Sequence, residues 1–267
     1  MTAGPAGRDT DTGAATGPGT GRIGVVTGGG GGLGRASALA LLAQGWSLAL
    51  AGRREEALKE TIALSGAGPD RVIAVPTDIR DPAQVAALFR TVRAHFGRLD
   101  LLFNNAGAAV PRRPVAEVDF DDWSKVMDTT VTGTFLCAQE AFRVMRDQSP
   151  QGGRIINNGA PSAHSPRPNA IAYTTAKHAV LGLTRALSLD GRPYGISCGQ
   201  IDVGNVDPAD GGPQPAAMQA DGSMAVEATI PVARFTESLL LMASMPADTN
   251  VQFLTVLPTT MPFIGRG

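Results

Sequence analysis

Tyr173 and Lys177 stand four residues apart in a stretch whose pattern reads as helix. Side chains at that separation project from one helix face. An ammonium beside a phenol favours the phenolate and is expected to draw the phenol below its ordinary value of about 10. Such a pair delivers or accepts a proton at a reacting oxygen. Much earlier, Thr27-Gly28-Gly29-Gly30-Gly31-Gly32-Leu33-Gly34 joins an apolar run to the start of a helical pattern. Glycines there let the backbone turn tightly and approach a pyrophosphate, whose charge meets the helix N-terminus. Glycines alone describe a flexible turn; their position between a strand and a helix is what argues for a bound dinucleotide.

The elements that must carry these residues alternate regularly. Strand-like runs are expected at Ile23–Thr27, Trp46–Ala51, Arg71–Pro76, Leu99–Phe103, Arg154–Asn158, Ile196–Ile201 and Val251–Leu257. Between them lie helical patterns at about Leu33–Gln44, Glu55–Leu64, Phe120–Asp128, Val131–Arg146, Ile171–Asp190 and Val232–Met245. A further helix runs to Phe96, with Asp81 as N-cap and Pro82 at its first position. Continuous apolar strands separated by helices imply an α/β protein with a parallel sheet covered on both faces. Right-handed crossovers then give a single-domain, Rossmann-type doubly wound sheet over residues 22–267, with ligands at the carboxyl ends of the strands. Residues 1–21 have no apolar periodicity and are expected to form a disordered leader.

Thr27-Gly28-x-x-x-Gly32-x-Gly34, Asn104-Asn105-Ala106-Gly107 and Tyr173-x-x-x-Lys177, in that order, resemble the short-chain dehydrogenase/reductase family. The resemblance runs from Arg22 onward. It implies a nicotinamide cofactor, with Thr27, Gly28, Gly32, Leu33, Gly34, Asn104, Ala106 and Gly107 among its contacts. It also implies that Asp78 meets the adenine and that Lys177 binds the nicotinamide ribose beside Tyr173. The second strand ends in Ala51-Gly52-Arg53-Arg54, where a carboxylate would bind a ribose 2′-hydroxyl. Arg53 and Arg54 suit a 2′-phosphate instead, so NADP(H) is favoured, with NAD(H) left open.

Two positions depart from the family's catalytic set. Its serine, thirteen residues before the tyrosine, is matched by Ala160, and its asparagine by Thr130. Alanine offers no donor to a developing oxyanion, a loss that typically costs about 10²–10³ in rate. Ser162, just beyond Pro161, is the candidate replacement. Three readings stay open: a reductase or dehydrogenase for a small carbonyl or alcohol rebuilt around Ser162; a non-redox cyclase, isomerase or lyase using Tyr173 with a resident cofactor; and a silent binding or scaffold subunit.

The formal net charge of −1 gives no field for nucleic acid or an anionic membrane, and the expected location is the cytoplasm. Cys137 and Cys198 read as buried free thiols. His95, His164 and His178 lack metal-ligand spacing, so no metal is expected; His164 should lie near the substrate mouth and His178 at a helix interface. Gly204–Gly222, rich in Pro, Gly and Asp, reads as a mobile lid over the substrate. The apolar end, Met261–Gly267, is a candidate for docking on a neighbouring subunit. By resemblance, Val131–Arg146 and Ile171–Asp190 build the interface of a homodimer or homotetramer.

Overall fold

The computed structural model describes residues 21–208, 212 and 214–264. Nearly all of the expected leader, residues 1–20, therefore lies outside the described residues.

Seven strands form one parallel sheet in the order β3-β2-β1-β4-β5-β6-β9. They are β1 (Ile23–Thr27), β2 (Ser47–Gly52), β3 (Val72–Pro76), β4 (Leu101–Asn104), β5 (Gly153–Asn158), β6 (Ile196–Val203) and β9 (Phe253–Val256). The chain winds outward from β1 to β3, then returns to β4 on the other side of β1. That reversal opens a crevice at the carboxyl end of β1, where the glycine turn sits. Alternate strand residues feed two cores. Val25, Ala49, Leu102 and Ile155 face α3 (Pro82–Phe96) and α5 (Gly133–Asp147). Val26, Leu50, Leu101 and Ile156 face α1 (Gly32–Ala43), α2 (Glu55–Ser65) and α7 (Val232–Ser244). Burial on both faces explains why the strands lack polar alternation.

Local chemistry sets the ends of these elements. Asp81 caps α3, its carboxylate accepting from Ala83 N at 2.8 Å and Gln84 N at 3.3 Å, and Gly97 closes the helix at φ 82°. The expected break between two helices near Thr129 does not occur. Instead α4 (Phe120–Val126) runs through a π-helical turn, Met127–Thr132, directly into α5. The wider turn absorbs the adjacent threonines without ending the helix. β6 extends past Ile201 because Asp202 and Val203 pair with Thr255 and Val256 of β9. Within and after the stretch expected as a lid, β7 (Ala217–Met218) and β8 (Met224–Ala225) form a small antiparallel hairpin. Cys137 and Cys198 are free, buried and pushed up to about 12 by burial, which leaves them inert as nucleophiles. Among the described residues, no helix is long and apolar enough to cross a membrane.

Candidate active site

The glycine turn is held against β2: Gly28 N and Gly29 N both donate to Ala51 O, at 2.8 and 3.2 Å. Gly28 adopts φ +70°, a left-handed conformation that favours glycine. With Gly30 and Gly31 it lines a cavity of about 360 Å³. The first turn of α1 opens beside it without a side-chain cap or an acidic residue, unlike the capped α3. Its unanswered N–H groups and the bare glycine backbone make a cradle for a pyrophosphate, so the residues fit a dinucleotide. Gly34 sits behind the turn, where an added methyl would collide with Gly28 O and press on Asn105 Nδ2. Gly34→Ala is expected to weaken binding of a reduced nicotinamide dinucleotide about 10- to 100-fold in a fluorescence titration. Unchanged affinity would contradict this assignment.

Not every residue expected at the cofactor faces this cavity. Thr27 is buried and its Oγ1 accepts from Asn105 N (2.9 Å) and Ala106 N (3.0 Å), locking β1 to the segment after β4. Asn104 also points inward, donating to Asn157 Oδ1 at 3.1 Å and Thr134 O at 3.3 Å. The neighbouring Asn105, with Ala106 and Gly107, supplies the lining. Gly32 and Leu33 open α1, with Leu33 packed on the core. Arg53, Arg54, Asp78 and Arg80 form the opposite wall. Asp78 is gripped by Arg80 (Nη2 to Oδ2, 2.6 Å), and that hydrogen bond holds its carboxyl below the usual range. The wall is therefore net cationic. Arg80 carried no distinguishing sequence signal.

On the substrate side, α6 (Ile171–Asp190) carries both Tyr173 and Lys177. Lys177 is buried; its Nζ donates to Asn158 O at 2.7 Å and lies 5.6 Å from the Tyr173 ring centroid. Burial pushes Lys177 down to about 8, opposed by the charge of Asp202. Tyr173 is not drawn below its ordinary value, contrary to the expectation from spacing. Burial pushes it up to about 12, and the cations that favour its phenolate are Arg112 and Arg167. The physical reason is desolvation of the phenol, which outweighs the charges around it. Tyr173 is therefore protonated through the neutral range.

Ala160, Ser162 and Tyr173 border a second cavity of about 320 Å³, together with Arg112, Arg167, Asn205 and Met261. Ala160 and Ser162 are both buried; Ala160 precedes the single turn Pro161–Ala163 that follows β5, and Ser162 lies within it. Thr130 lies in the π-helical turn, and its Oγ1 accepts from Ala108 N at 3.2 Å. It positions the loop after β4 and does not reach Lys177 among the described residues. Asp202, fully buried in β6, accepts from Gln200 Nε2 at 2.8 Å and lies 2.9 Å from His164 Nε2. His164 thus anchors on Asp202 and does not border the cavity. His178 is exposed and bonds Thr174 O through Nδ1 at 2.9 Å. Met261, at the expected docking tail, instead lines this chain's own cavity, and residues 265–267 lie outside the described residues.

Glu227 braces the cavity wall. Burial raises its carboxyl, but hydrogen bonds from Arg167, Asn205 and Gln219 outweigh this and hold it at about 2, against 4.5 in the free group. A depressed folded value means the stabilisation is present above about 4.5 and is lost as pH falls toward 2. Protection of the amides around Glu227, measured relative to their intrinsic exchange rates, is expected to fall across that window. In Glu227→Gln the acid-dependent change should disappear; its persistence would assign the transition to another group.

A family model described as short chain dehydrogenase matches residues 22–216. The chain is 33% identical over 180 residues to a 3beta-hydroxysteroid dehydrogenase of Mediterraneibacter gnavus, covering 67% of this chain and 64% of that protein. It is 34% identical over 189 residues to levodione reductase of Leifsonia aquatica, covering 70% of each. A crystal structure of a short-chain type dehydrogenase/reductase from Mycobacterium marinum superposes with a TM-score of 0.75 at 26% identity, over 89% of this chain and 94% of that one. With the glycine turn, the parallel sheet and the Tyr173–Lys177 helix in the expected places, these matches show that the chain belongs to the short-chain dehydrogenase/reductase family.

Proposed function

We propose that the protein is an NADP(H)-dependent oxidoreductase interconverting a small-molecule ketone and the corresponding secondary alcohol. The observation that carries this reading is that Tyr173, with the buried Lys177 over its ring, borders a small cavity at the same carboxyl end of the sheet as the glycine cradle. A bound nicotinamide supplies or accepts the hydride. Thr27, Asn104 and Gly34 shape the cradle from behind, while Gly28, Ala106, Gly107, Arg53, Arg54 and Asp78 border it. In the reducing direction the Tyr173 hydroxyl gives its proton to the carbonyl oxygen as the carbonyl carbon gains hydride, and solvent returns the proton. Ser162 takes the oxyanion-donor role that Ala160 lacks. Absorbance at 340 nm with NADPH and a panel of cyclohexanones, neutral and carboxyl-substituted, tests this; loss of NADPH absorbance is expected, and none with any member would overturn the reading.

The cofactor preference rests on the cationic wall. Arg53 and Arg54 are exposed and form no ion pair among the described residues, which leaves both forks available to a 2′-phosphate. Arg53→Ala with Arg54→Ala is expected to raise KM for NADPH about 10- to 100-fold while that for NADH stays within about twofold. Equal losses for both cofactors would argue against phosphate recognition. We also propose assembly through α5 and α6, where Phe135 and Leu189 are 43% and 60% exposed. Sedimentation of a dimer or tetramer is the expected result, and a monomer would refute it.

A further inference from the structure

We infer that the substrate carries a single carboxylate, and that Arg112 binds it in the Tyr173 cavity. This rests on the oxidoreductase reading of that cavity and adds the chemical class of its occupant.

Three arginines border the cavity: Arg112, Arg113 and Arg167. Two are already answered. Arg113 Nη1 donates to Asp119 Oδ2 at 3.2 Å, while Arg167 Nη1 donates to Glu227 Oε1 at 2.7 Å and its Nη2 to Glu227 Oε2. Arg112 makes no ion pair among the described residues, and Asp122, the acidic residue on the lining, pairs with none of the three. Burial and the like charge of Arg167 push the Arg112 guanidinium below its ordinary range, and Glu227 and Tyr173 offset this only in part. Arg112 is exposed at the rim of the cavity, so its fork is open to an anion that enters beside Arg167.

The charge count and the walls narrow that anion. One unanswered guanidinium matches one negative charge, and its planar fork fits a carboxylate bidentately. The remaining wall is largely apolar, including Val110, Pro111, Ile171 and Val203. A volume of about 320 Å³ suits a six-membered ring or a short chain. The occupant is therefore a small oxo acid or hydroxy acid, its carboxylate on Arg112 and its reacting oxygen toward Tyr173.

Benzoate and benzamide share a shape and differ in charge. Calorimetric titration of the full chain saturated with NADP+ is expected to show benzoate binding at least about tenfold tighter. Arg112→Gln should abolish the preference, while Arg113→Gln, which removes an arginine already paired, should keep it. Arg112 has no side-chain hydrogen bond among the described residues, so its replacement should leave thermal unfolding unchanged. The preference of the unmodified protein tests the charge without any substitution. Equal binding, no binding of either ligand, or a preference that survives Arg112→Gln would each overturn the assignment. NADPH oxidation with neutral cyclohexanones separates the two claims. Turnover without a benzoate preference refutes only the carboxylate; a benzoate preference without NADPH oxidation by any neutral or acidic ketone refutes only the oxidoreductase reading.

Discussion

Tyr173→Phe is expected to lower kcat for ketone reduction by about 10²- to 10⁴-fold, the usual contribution of a positioned general acid. The ring contact with Lys177, 5.6 Å from Nζ to centroid, survives this change, and only the hydroxyl is lost. NADPH affinity should therefore stay within about twofold, because Tyr173 is not on the cofactor lining. The environment explains why the hydroxyl is suited to donation. Burial holds it up at about 12, so its proton is present at neutral pH. Arg112 and Arg167 then stabilise the phenolate once the proton has left. Fluorescence titration and steady-state rates on the same preparation check both halves. Retained kcat would remove Tyr173 from the chemistry.

Ser162→Ala is expected to cost about 10²–10³ in kcat, as for other lost oxyanion donors. Ala160 and Ser162 border one cavity and are separated only by Pro161. If the oxyanion lies between them, a hydroxyl restored at Ala160 should compensate. Ser162→Ala combined with Ala160→Ser is expected to recover most of the lost rate, although Ala160 is only 5% exposed and the added oxygen must find a bonding partner. An effect of Ser162→Ala on KM alone would make Ser162 a binding residue rather than a donor to the transition state. No effect at all would mean that Tyr173 acts without a second donor.

The first of these expectations was within reach of the sequence because it depends on spacing along one element. Tyr173 and Lys177 share α6, whose bounds, Ile171–Asp190, follow the expected pattern. Asp81-Pro82 marked the start of α3 because cap chemistry is local. The glycine turn was equally legible, since φ +70° at Gly28 and the close approach at Gly34 both demand glycine.

What the sequence concealed depends on contacts between distant segments. Thr130 reads as a lost asparagine, but the π-helical turn aims its hydroxyl at Ala108 N. The expected strand ends at Ile201, yet β6 continues through Asp202 because that residue pairs with Thr255 of β9, while Gln200 and His164 satisfy its carboxylate. Thr27 and Asn104 belong to motifs associated with the cofactor, while their side chains bond the neighbouring backbone and Asn157. The field at Tyr173 was misjudged for the same reason. Lys177 is near in sequence, but burial outweighs every charge around the phenol, and the cations that oppose it, Arg112 and Arg167, arrive from separate loops. Nothing in a run such as Pro111-Arg112-Arg113 tells which arginine will be left without a carboxylate.

Whether the cofactor is a reagent or a resident can be read directly from the product. NADPH carrying deuterium at both C4 positions, incubated with the full chain and whichever substituted cyclohexanone is turned over fastest, should yield an alcohol one mass unit heavier at the carbinol carbon. One NADPH should disappear for each alcohol formed. A product that lacks deuterium, or one that forms while NADPH remains intact, would contradict hydride transfer and place Tyr173 in non-redox acid–base chemistry.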